Sequence, residues 1–375
     1  MKIGFNRPTL AGNELEYIRQ AIANEHTAGD GRFTRRCHEW LERMLGAPKA
    51  LITHSCTAAL EMAALLFDLE PGDEVIMPSY TFVSTANAVA LRGGVPVFVD
   101  IRSDTLNIDE RLIEEAITPR TKAIFVVHYG GVGCEMDPIM EIADRHRLLV
   151  AEDAAQGLMS RYQGRPLGSI GQLAAISFHE TKNLISGEGG ALVVNDRRFV
   201  SRAEIIREKG TNRSAFLRGE VDKYTWMDIG SSYLPSDMIA AFLLAQFEHA
   251  ERLLAERRVT WARYHEGFAH LEQRGQCRRP IVPATCEHNA HLYYLLLPNT
   301  VARDALIARL RAQEIYAPFH YIPLHSAPAG RRFGRSSGSL RQTTDLAARL
   351  VRLPLWYGMT SEPGRVIDLV HAVLQ

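Results

Sequence analysis

Short apolar runs alternate with helical stretches along the first two thirds of the chain. Runs typical of buried strands lie near residues 74–77, 95–101, 122–128, 148–152, 173–178 and 191–195. Patterns typical of helices lie before and between them, near residues 57–68, 81–91, 109–117 and 137–146. Asp137 and Pro138 favour a helix start, with a side-chain cap followed by proline. The alternation predicts an α/β fold with a large, mainly parallel sheet covered on both faces.

The pattern changes in the last third of the chain. A helical stretch runs from Ser236 to about residue 272, and a strand-like run near 291–297 and a helix near 302–314 follow it. We therefore predict two domains. The large domain covers residues 1–245, and a smaller C-terminal α/β domain covers residues 246–375.

Two candidate catalytic side chains follow predicted strands. Asp153 ends the run that begins at residue 148, and Lys182 comes soon after the run that begins at residue 173. Because ligands of open α/β sheets bind outside the carboxyl ends of the strands, the two can face one site. A lysine shielded from water is a candidate Schiff-base nucleophile, and pyridoxal 5′-phosphate (PLP) needs such a lysine and an acidic partner for its ring nitrogen. Taken singly, the lysine is typical of a surface charge and the aspartate of a helix cap.

Polar residues after residues 50–52 suggest a phosphate site. A helix that begins near Ser55 or Thr57 has free N–H groups and a positive dipole end that favour a phosphate, although such hydroxyls are also ordinary N-caps. Phe82 follows the strand near 74–77. An aromatic ring there can stack on a planar cofactor, but a single phenylalanine is otherwise typical of core packing.

The four segments that hold these residues, in this order, resemble the DegT/DnrJ/EryC1/StrS family of sugar aminotransferases. The likeness runs nearly end to end, from the segments at 5–8 and 29–34 to those at 320–325 and 352–355. Within the family it is closest to the dTDP-4-amino-4,6-dideoxygalactose transaminases of bacterial surface-polysaccharide synthesis. The resemblance implies PLP-dependent fold type I, the aspartate aminotransferase architecture, and a homodimer with sites at the subunit interface.

The resemblance also implies a role for each candidate side chain. Lys182 would carry the cofactor as a Schiff base, Asp153 would pair with the pyridine nitrogen and Gln156 would contact the ring hydroxyl. Phe82 would fill the position that stacks on the ring. The residues that match the family's phosphate and ring-edge contacts are Thr57, Ala58, Ser177 and His179. Of these, His179 is grouped with Lys182 and Asp153 as catalytic.

One segment departs from the family pattern. Many members carry an asparagine that reaches the cofactor phosphate of the neighbouring subunit, and Ser232 stands in its place here. Serine is shorter than asparagine, so the expected contact from Ser232 can run through water.

The resemblance implies a substrate pair as well. L-glutamate would donate an amino group to dTDP-4-keto-6-deoxy-D-glucose, which gives dTDP-4-amino-4,6-dideoxy-D-galactose and 2-oxoglutarate. Amination at carbon 3 or 4, the configuration of the product and the nucleotide carried stay open, because pocket shape decides them.

The charge balance argues against nucleic acid as a partner. The chain has 375 residues, with 43 basic and 43 acidic side chains and no net charge, so there is no basic excess to attract a polyanion. An anionic nucleotide sugar would still need local cations. The candidates, which are otherwise typical of solvated surface charges, are Arg32, Arg35, Arg36, Lys209 and Arg213.

The cysteines, histidines and apolar stretches indicate the cell compartment and whether the chain binds a metal. Five cysteines without paired spacing fit a reduced, cytoplasmic protein. No stretch approaches a membrane span, and residues 1–14 have no signal-peptide core. Cys286, His288 and His291 lie close in sequence but lack a fourth ligand, so we predict no metal site.

Three other functions remain open. A dehydratase of the same family is expected to carry histidine where this chain has Lys182, so the lysine argues against it. A non-catalytic sensor could keep the fold, but the joint presence of Asp153, Gln156, His179 and Lys182 argues against decay of the site. A nicotinamide-binding protein is disfavoured because Gly29-Asp30-Gly31 lacks the third glycine and a preceding strand.

Overall fold

The computed structural model describes residues 2–374. Its strands are β1 Lys49–Thr53, β2 Glu74–Pro78, β3 Val95–Val99, β4 Thr121–Val127, β5 Leu149–Asp153, β6 Arg161–Tyr162, β7 Arg165–Pro166, β8 Leu173–Ser177, β9 Gly190–Val194, β10 Cys286–Glu287, β11 Tyr293–Leu296, β12 Arg335–Ser336 and β13 Leu350–Leu353. The strands predicted from apolar runs agree with β2, β3, β4, β5, β8, β9 and β11 to within a few residues.

One large sheet organises the molecule. Its strand order is β1-β9-β8-β5-β4-β2-β3-β12. The pairs from β8 to β12 are parallel, whereas β9 runs antiparallel to both of its neighbours, β1 and β8. The predicted mainly parallel sheet is confirmed, and its carboxyl ends at Asp153 and Ser177 point to the same edge.

α-Helices cover the large sheet on both faces and also pack around the smaller C-terminal strands. They are α1 Glu14–Ala23, α2 Arg32–Leu45, α3 Cys56–Leu66, α4 Val83–Ala90, α5 Ile113–Ala116, α6 Met136–His146, α7 Val200–Arg207, α8 Arg213–Leu217, α9 Asp237–Glu248, α10 Ala250–Gly267, α11 Ala269–Gln273, α12 Thr300–Ala312, α13 Pro328–Phe333, α14 Arg341–Arg349 and α15 Glu362–Leu374. None of those formed by residues 2–374 combines the length and apolar content needed to cross a bilayer.

Alternate residues of the central strands enter two separate apolar layers. Ala175 and Leu192 pack with the buried side of α3 on one face of the sheet. Ile176 and Val193 pack with α2 and α9 on the other face. Because a fully buried leucine or isoleucine contributes roughly 1.5–3 kcal/mol, these layers hold β8 and β9, and with them the loop between them, in one register.

A second, smaller layer lies in the C-terminal part. Strands β11 and β13 pair antiparallel and pack against α10, α12 and α15 around their own apolar cluster. The domain boundary near residue 245 lies inside α9 and stays a prediction. Strand β12, from the C-terminal part, pairs with β3 of the large sheet.

Three local predictions need correction. Helix α6 begins at Met136, so Asp137 lies inside its first turn rather than at the cap position, and its carboxylate pairs with Arg165. The helix expected over 109–117 is a 3-10 turn followed by the single turn α5. The helical stretch that starts at Ser236 is three helices, α9 to α11, interrupted at His249 and Phe268.

Candidate active site

A cavity of about 670 Å³ lies at the carboxyl edge of the sheet. Val127, Asp153 and Ser177, which end β4, β5 and β8, contribute to its wall, and residues of the C-terminal part line the opposite side. This is the crevice that the parallel sheet predicts.

Lys182 enters the cavity from the loop after β8. The amide of Lys182 donates to the carbonyl of His179 over 2.8 Å, and the amide of Phe178 donates to Gly189 over the same distance, so both ends of the loop are held. Among residues 2–374, Nζ of Lys182 has no hydrogen-bond or ion-pair partner. Burial lowers the pKa of Lys182, and the nearby Asp153 opposes this effect. The amine therefore has some of the character of a nucleophile.

Asp153 faces the same cavity from the end of β5 and is 5% exposed. Its Oδ2 accepts from Thr85 Oγ1 over 2.7 Å, and its Oδ1 accepts from the amide of Ala155 over 3.1 Å. Burial raises the pKa of this carboxyl, although both donors and Lys182 act in the other direction. A buried carboxylate is stabilised by a cation close to it, and a protonated ring nitrogen would supply that cation to Asp153.

The first turn of α3 borders the cavity. Ser55 is the N-cap, and its Oγ accepts from the amide of Ala58 over 3.1 Å, while Thr57 Oγ1 lies 2.7 Å from Ser84 Oγ. The amides of Cys56 and Thr57 precede the first intrahelical bond and are available to an anion. A Cβ on Gly190 would lie 2.3 Å from the amide nitrogen of Cys56, so glycine is required for β9 to approach this turn.

Phe82 and Gln156 lie on the wall of the cavity. Phe82 precedes α4 and is 56% exposed, so it is not a core residue. Its ring is free to stack on a planar group. Gln156 is buried; its Oε1 accepts from the amide of Gly130 over 2.7 Å and its Nε2 donates to the hydroxyl of Tyr321 over 2.8 Å.

The remaining predicted contacts divide into two sets. Ser177 and His179 line the cavity, and Nδ1 of His179 lies 2.9 Å from Thr181 Oγ1. Ser232 is exposed and pairs with Glu208 through a β-bridge; it is not among the residues that line the cavity of its own chain. Its expected contact is with a neighbouring subunit, and that contact stays a prediction.

Several cavity residues were not assigned a role from the sequence. The rings of His320 and Tyr321 line the cavity and stack at a centroid distance of 3.6 Å, and Nδ1 of His320 lies 2.8 Å from Oη of the buried Tyr129. His291 and Arg352 also line the cavity. The segments at 320–325 and 352–355 carried part of the family resemblance, so the signal was present, but a resemblance of segments does not say which side chain turns inward.

The five cations suggested for substrate binding do not line the cavity of this chain. They are Arg32, Arg35, Arg36, Lys209 and Arg213. Arg36 pairs with Glu248, and Lys209 pairs with Glu208. Within the described residues, no three histidine, cysteine, aspartate or glutamate side chains are grouped so that they could hold a metal ion.

The donor set suits PLP. A helix N-terminus and hydroxyl groups border the cavity, a buried carboxylate and a half-buried lysine face its interior, and an exposed aromatic ring lies on its wall. These groups correspond in kind to the phosphate, the ring nitrogen, the aldehyde and the ring face of the cofactor.

Comparisons with known proteins agree with this chemistry. The model of the DegT/DnrJ/EryC1/StrS aminotransferase family matches residues 8–371. GDP-perosamine synthase of Caulobacter vibrioides is 33% identical, with 100% of this chain and 98% of the relative covered. Spore coat polysaccharide biosynthesis protein SpsC of Bacillus subtilis is 32% identical over 98% of this chain and 95% of its own. A putative sugar aminotransferase of Streptococcus pneumoniae, solved in its PLP form, superposes with a TM-score of 0.88 at 25% identity, covering 100% of this chain and 99% of its own.

Proposed function

The chain belongs to the DegT/DnrJ/EryC1/StrS aminotransferase family, and on that premise we propose that it aminates dTDP-4-keto-6-deoxy-D-glucose with L-glutamate as the donor. The products are dTDP-4-amino-4,6-dideoxy-D-galactose and 2-oxoglutarate. Family membership makes the protein a PLP-dependent sugar aminotransferase of nucleotide-sugar or polysaccharide synthesis. The choice of sugar, nucleotide and donor is the part that we propose.

Each residue of the site receives a defined task. PLP supplies an aldehyde that accepts the amino group and a ring that takes up negative charge from the donor's α-carbon. Lys182 Nζ would bind the aldehyde and would move the proton at the donor's α-carbon. Asp153 would keep a proton on the ring nitrogen. The first turn of α3, with Thr57 and Ser177, would hold the phosphate, and Phe82 would cover one face of the ring.

The observation that carries the proposal is the shared cavity of Lys182 and Asp153. Asp153 is buried and Lys182 is half-buried, the two act on each other electrostatically, and burial raises the pKa of Asp153 and lowers that of Lys182, so that each is moved toward its neutral form. Two opposite charges that both lack a close partner are costly in a protein interior. A cofactor that binds both of them removes that cost.

Three further parts of the proposal are the homodimer, the donor and the compartment. The homodimer comes from the family resemblance, and it would bring Ser232 toward the cofactor phosphate of the other subunit. Glutamate as donor comes from the same source. The cytoplasm is proposed because all five cysteines are unpaired, which suits a reducing compartment.

One relative favours a second candidate substrate. The synthase from Caulobacter vibrioides bears the name of a GDP-linked sugar. A GDP-linked 4-keto-6-deoxyhexose is therefore the alternative acceptor, with the same donor and the same chemistry.

The first experiment tests the aminotransferase site. Purified protein should be yellow, and borohydride reduction followed by peptide mass mapping should find the cofactor on Lys182. The matched control is Lys122→Ala, since Lys122 is exposed at the start of β4 and should leave both results unchanged. Cofactor on another lysine would refute the assignment of Lys182.

The second experiment tests the substrate. The enzyme is offered dTDP-linked 4-keto and 3-keto sugars and a GDP-linked 4-keto sugar, each with L-glutamate, and the product is identified by NMR. We expect amination of the dTDP-linked 4-keto sugar with galacto configuration. Amination at carbon 3, a gluco product or a preference for the GDP sugar would overturn the proposed substrate and leave the aminotransferase class intact.

A further inference from the structure

His291 lines the active-site cavity just before β11 and is tied to the lysine loop. Nδ1 of its ring lies 3.0 Å from Oδ1 of Asn183, the residue that follows Lys182. Nδ2 of Asn183 donates to the carbonyl of Asn289 over 2.8 Å. Because Oδ1 is therefore the acceptor of that side chain, the Nδ1 atom of His291 must carry the proton of their shared hydrogen bond.

The backbone on either side of the ring is held by further contacts. The buried side chain of Asn289 donates to the carbonyl of Gln156 over 2.8 Å and accepts from the amide of His291 over 3.0 Å. Nη2 of Arg257 donates to the carbonyl of His291 over 2.7 Å. Ala290 has a φ of 52°, in the left-handed region that residues other than glycine rarely adopt. These contacts fix where the ring of His291 meets the cavity.

The second ring nitrogen, Nε2, is an unused acceptor. It forms no hydrogen bond within residues 2–374, and it is open to the cavity. Burial and the charges of Lys182, Arg257 and Arg352 lower the pKa of His291 well below its usual value of 6.5, so the ring is neutral near neutral pH. With its proton on Nδ1, the ring presents the lone pair of Nε2 to the cavity.

The donor that suits this lone pair is the amine of Lys182. Nζ of Lys182 has no partner within residues 2–374 either, and its charge acts directly on His291. Asn183, which is bonded to the ring, is the next residue after Lys182 in the chain. The carboxylate that also acts on Lys182, Asp153, serves the ring nitrogen of the cofactor in the proposed function.

We propose that Nε2 of His291 accepts a hydrogen bond from Nζ of Lys182 whenever this amine is not bound to the cofactor, which makes His291 a positioning residue. A lysine side chain is long and flexible, and one such bond would hold its amine close to the carbon whose proton it moves. A neutral ring does this without repelling the amine when the amine is protonated. This inference rests on the proposed function and adds a residue that acts through Lys182.

Two substitutions separate the two ring nitrogens. His291→Asn keeps a donor near the position of Nδ1, so the bond to Asn183 can persist, but it leaves no acceptor near the position of Nε2. His291→Gln places an amide oxygen near the position of Nε2 and gives up the bond to Asn183. The two variants therefore differ in which contact they retain.

Single-turnover kinetics compare these variants in both half-reactions. Holoenzyme is mixed with L-glutamate, and the pyridoxamine form is mixed with the keto sugar, each followed by absorbance. We expect His291→Asn to lower both rate constants about 10-fold or more, because Lys182 moves a proton in each half-reaction. His291→Gln should stay within about threefold of the wild type.

Binding and isotope effects identify the step that is slowed. α-Methyl-L-glutamate has no α-proton, and its dissociation constant in His291→Asn should lie within about twofold of the wild-type value. α-Deuterated L-glutamate should show an isotope effect in His291→Asn at least as large as in the wild type. Binding weakened by the same factor as the rate constant, or an isotope effect close to unity, would overturn the positioning role.

Nitrogen NMR of histidine-labelled protein gives a readout that does not depend on turnover. With pyridoxamine 5′-phosphate bound, Lys182 is free, and the His291 resonances are those missing from His291→Gln. We expect an unprotonated Nε2 whose resonance moves in Lys182→Ala and stays in place in the control Lys122→Ala. A protonated Nε2, or one that does not respond to Lys182→Ala, would refute the contact.

The possible failures are distinguishable. A wild type that no amino acid converts to the pyridoxamine form would refute the proposed function, and the NMR comparison would still decide whether His291 contacts Lys182. If the wild type reacts, His291→Asn must be slower than His291→Gln. Equal rate constants in the two variants, or a slower His291→Gln, would show that Nε2 does not position the amine.

Discussion

Glu152 and Asp153 are consecutive carboxylates of β5 that face opposite sides of the sheet. Glu152 is fully buried and accepts hydrogen bonds from the amides of Gly168, Ile170 and Gly171 over 2.7–2.8 Å, with His128 Nε2 at 2.8 Å. Asp153 has two donors and opens onto the cavity.

The two environments shift the pKa values of Glu152 and Asp153 in opposite directions. Burial acts to raise the pKa of Glu152, but its many donors outweigh burial and the pKa is lowered. At Asp153 burial prevails, and the pKa is raised. A fully satisfied carboxylate stabilises the fold, whereas one that is left short of partners is ready to bind a ligand. The following predictions test that division.

The largest effect on turnover is expected at Lys182. Like Asp153, it faces the cavity and has no ion-pair partner within residues 2–374. Lys182→Ala should lower turnover by at least about 1,000-fold, because one amine both holds the cofactor and moves the proton. The apoprotein should be as stable as the wild type or more so, since a costly buried amine is gone. Stopped-assay product formation and urea unfolding of the apoprotein measure the two quantities. A large loss of stability would show that the lysine supports the fold.

Asp153→Asn should lower turnover by roughly 100-fold. The amide keeps the shape but no longer holds a proton on the ring nitrogen, so cofactor still binds while its capacity to accept charge falls. Cofactor content by absorbance and turnover per bound cofactor are the measurements. Turnover close to that of the wild type would mean that Asp153 is not the ring partner.

Glu152→Gln should have the opposite profile. It breaks a buried network in which one carboxylate serves four groups, and the free energy of unfolding should fall by about 3 kcal/mol. Turnover per folded molecule should change less than about twofold. Urea unfolding and turnover at a temperature where the variant is folded test this. A loss of turnover without a loss of stability would mean that Glu152 supports catalysis, as Asp153 does, and not the fold.

The pH dependence of stability should separate the residues further. The lowered pKa of Glu152 means that its stabilisation is present above its unfolded value of 4.5 and is lost as pH falls through the folded value. Asp153, with a raised pKa, destabilises the apoprotein above its folded value, and this cost disappears as pH falls toward 3.8. Glu152→Gln should therefore start below the wild type at pH 7 and Asp153→Asn above it, and both should approach the wild type in acid. Urea midpoints from pH 7 down to below the lowered pKa of Glu152 would reveal any other order.

The smallest effect is expected at Thr85, which donates to Asp153. Thr85→Val removes one hydrogen bond and should lower turnover about three- to tenfold. Because the Thr85 hydroxyl stabilises the ionised form of Asp153, its loss should raise the pKa of that carboxyl. The acid limb of the pH–rate profile should therefore move to higher pH. Thr85→Ser, which keeps the hydroxyl, is the control and should restore both values.

The strands and the first site residues could be predicted because both depend on local pattern. Buried parallel strands read as continuous apolar runs, and their ends place Asp153 and Lys182 at one edge. The residue types predict a helix start near Ser55 or Thr57, and Ser55 is the N-cap of α3. The cap predicted at Asp137 is wrong, because α6 begins one residue earlier, at Met136, and the carboxylate of Asp137 pairs with Arg165.

The sequence by itself therefore determined the sheet, the lysine and carboxylate at its edge, and the family. Tertiary structure decided which groups complete the site. His320, Tyr321 and Arg352 lie far along the chain from Lys182 and reach the cavity only because the C-terminal layer packs over the edge of the sheet. How deeply a side chain is buried, which hydrogen bonds it forms and which charges it pairs with all depend on these long-range contacts. Only the folded chain therefore distinguishes Glu152 from Asp153 and leaves Arg352 without an anion.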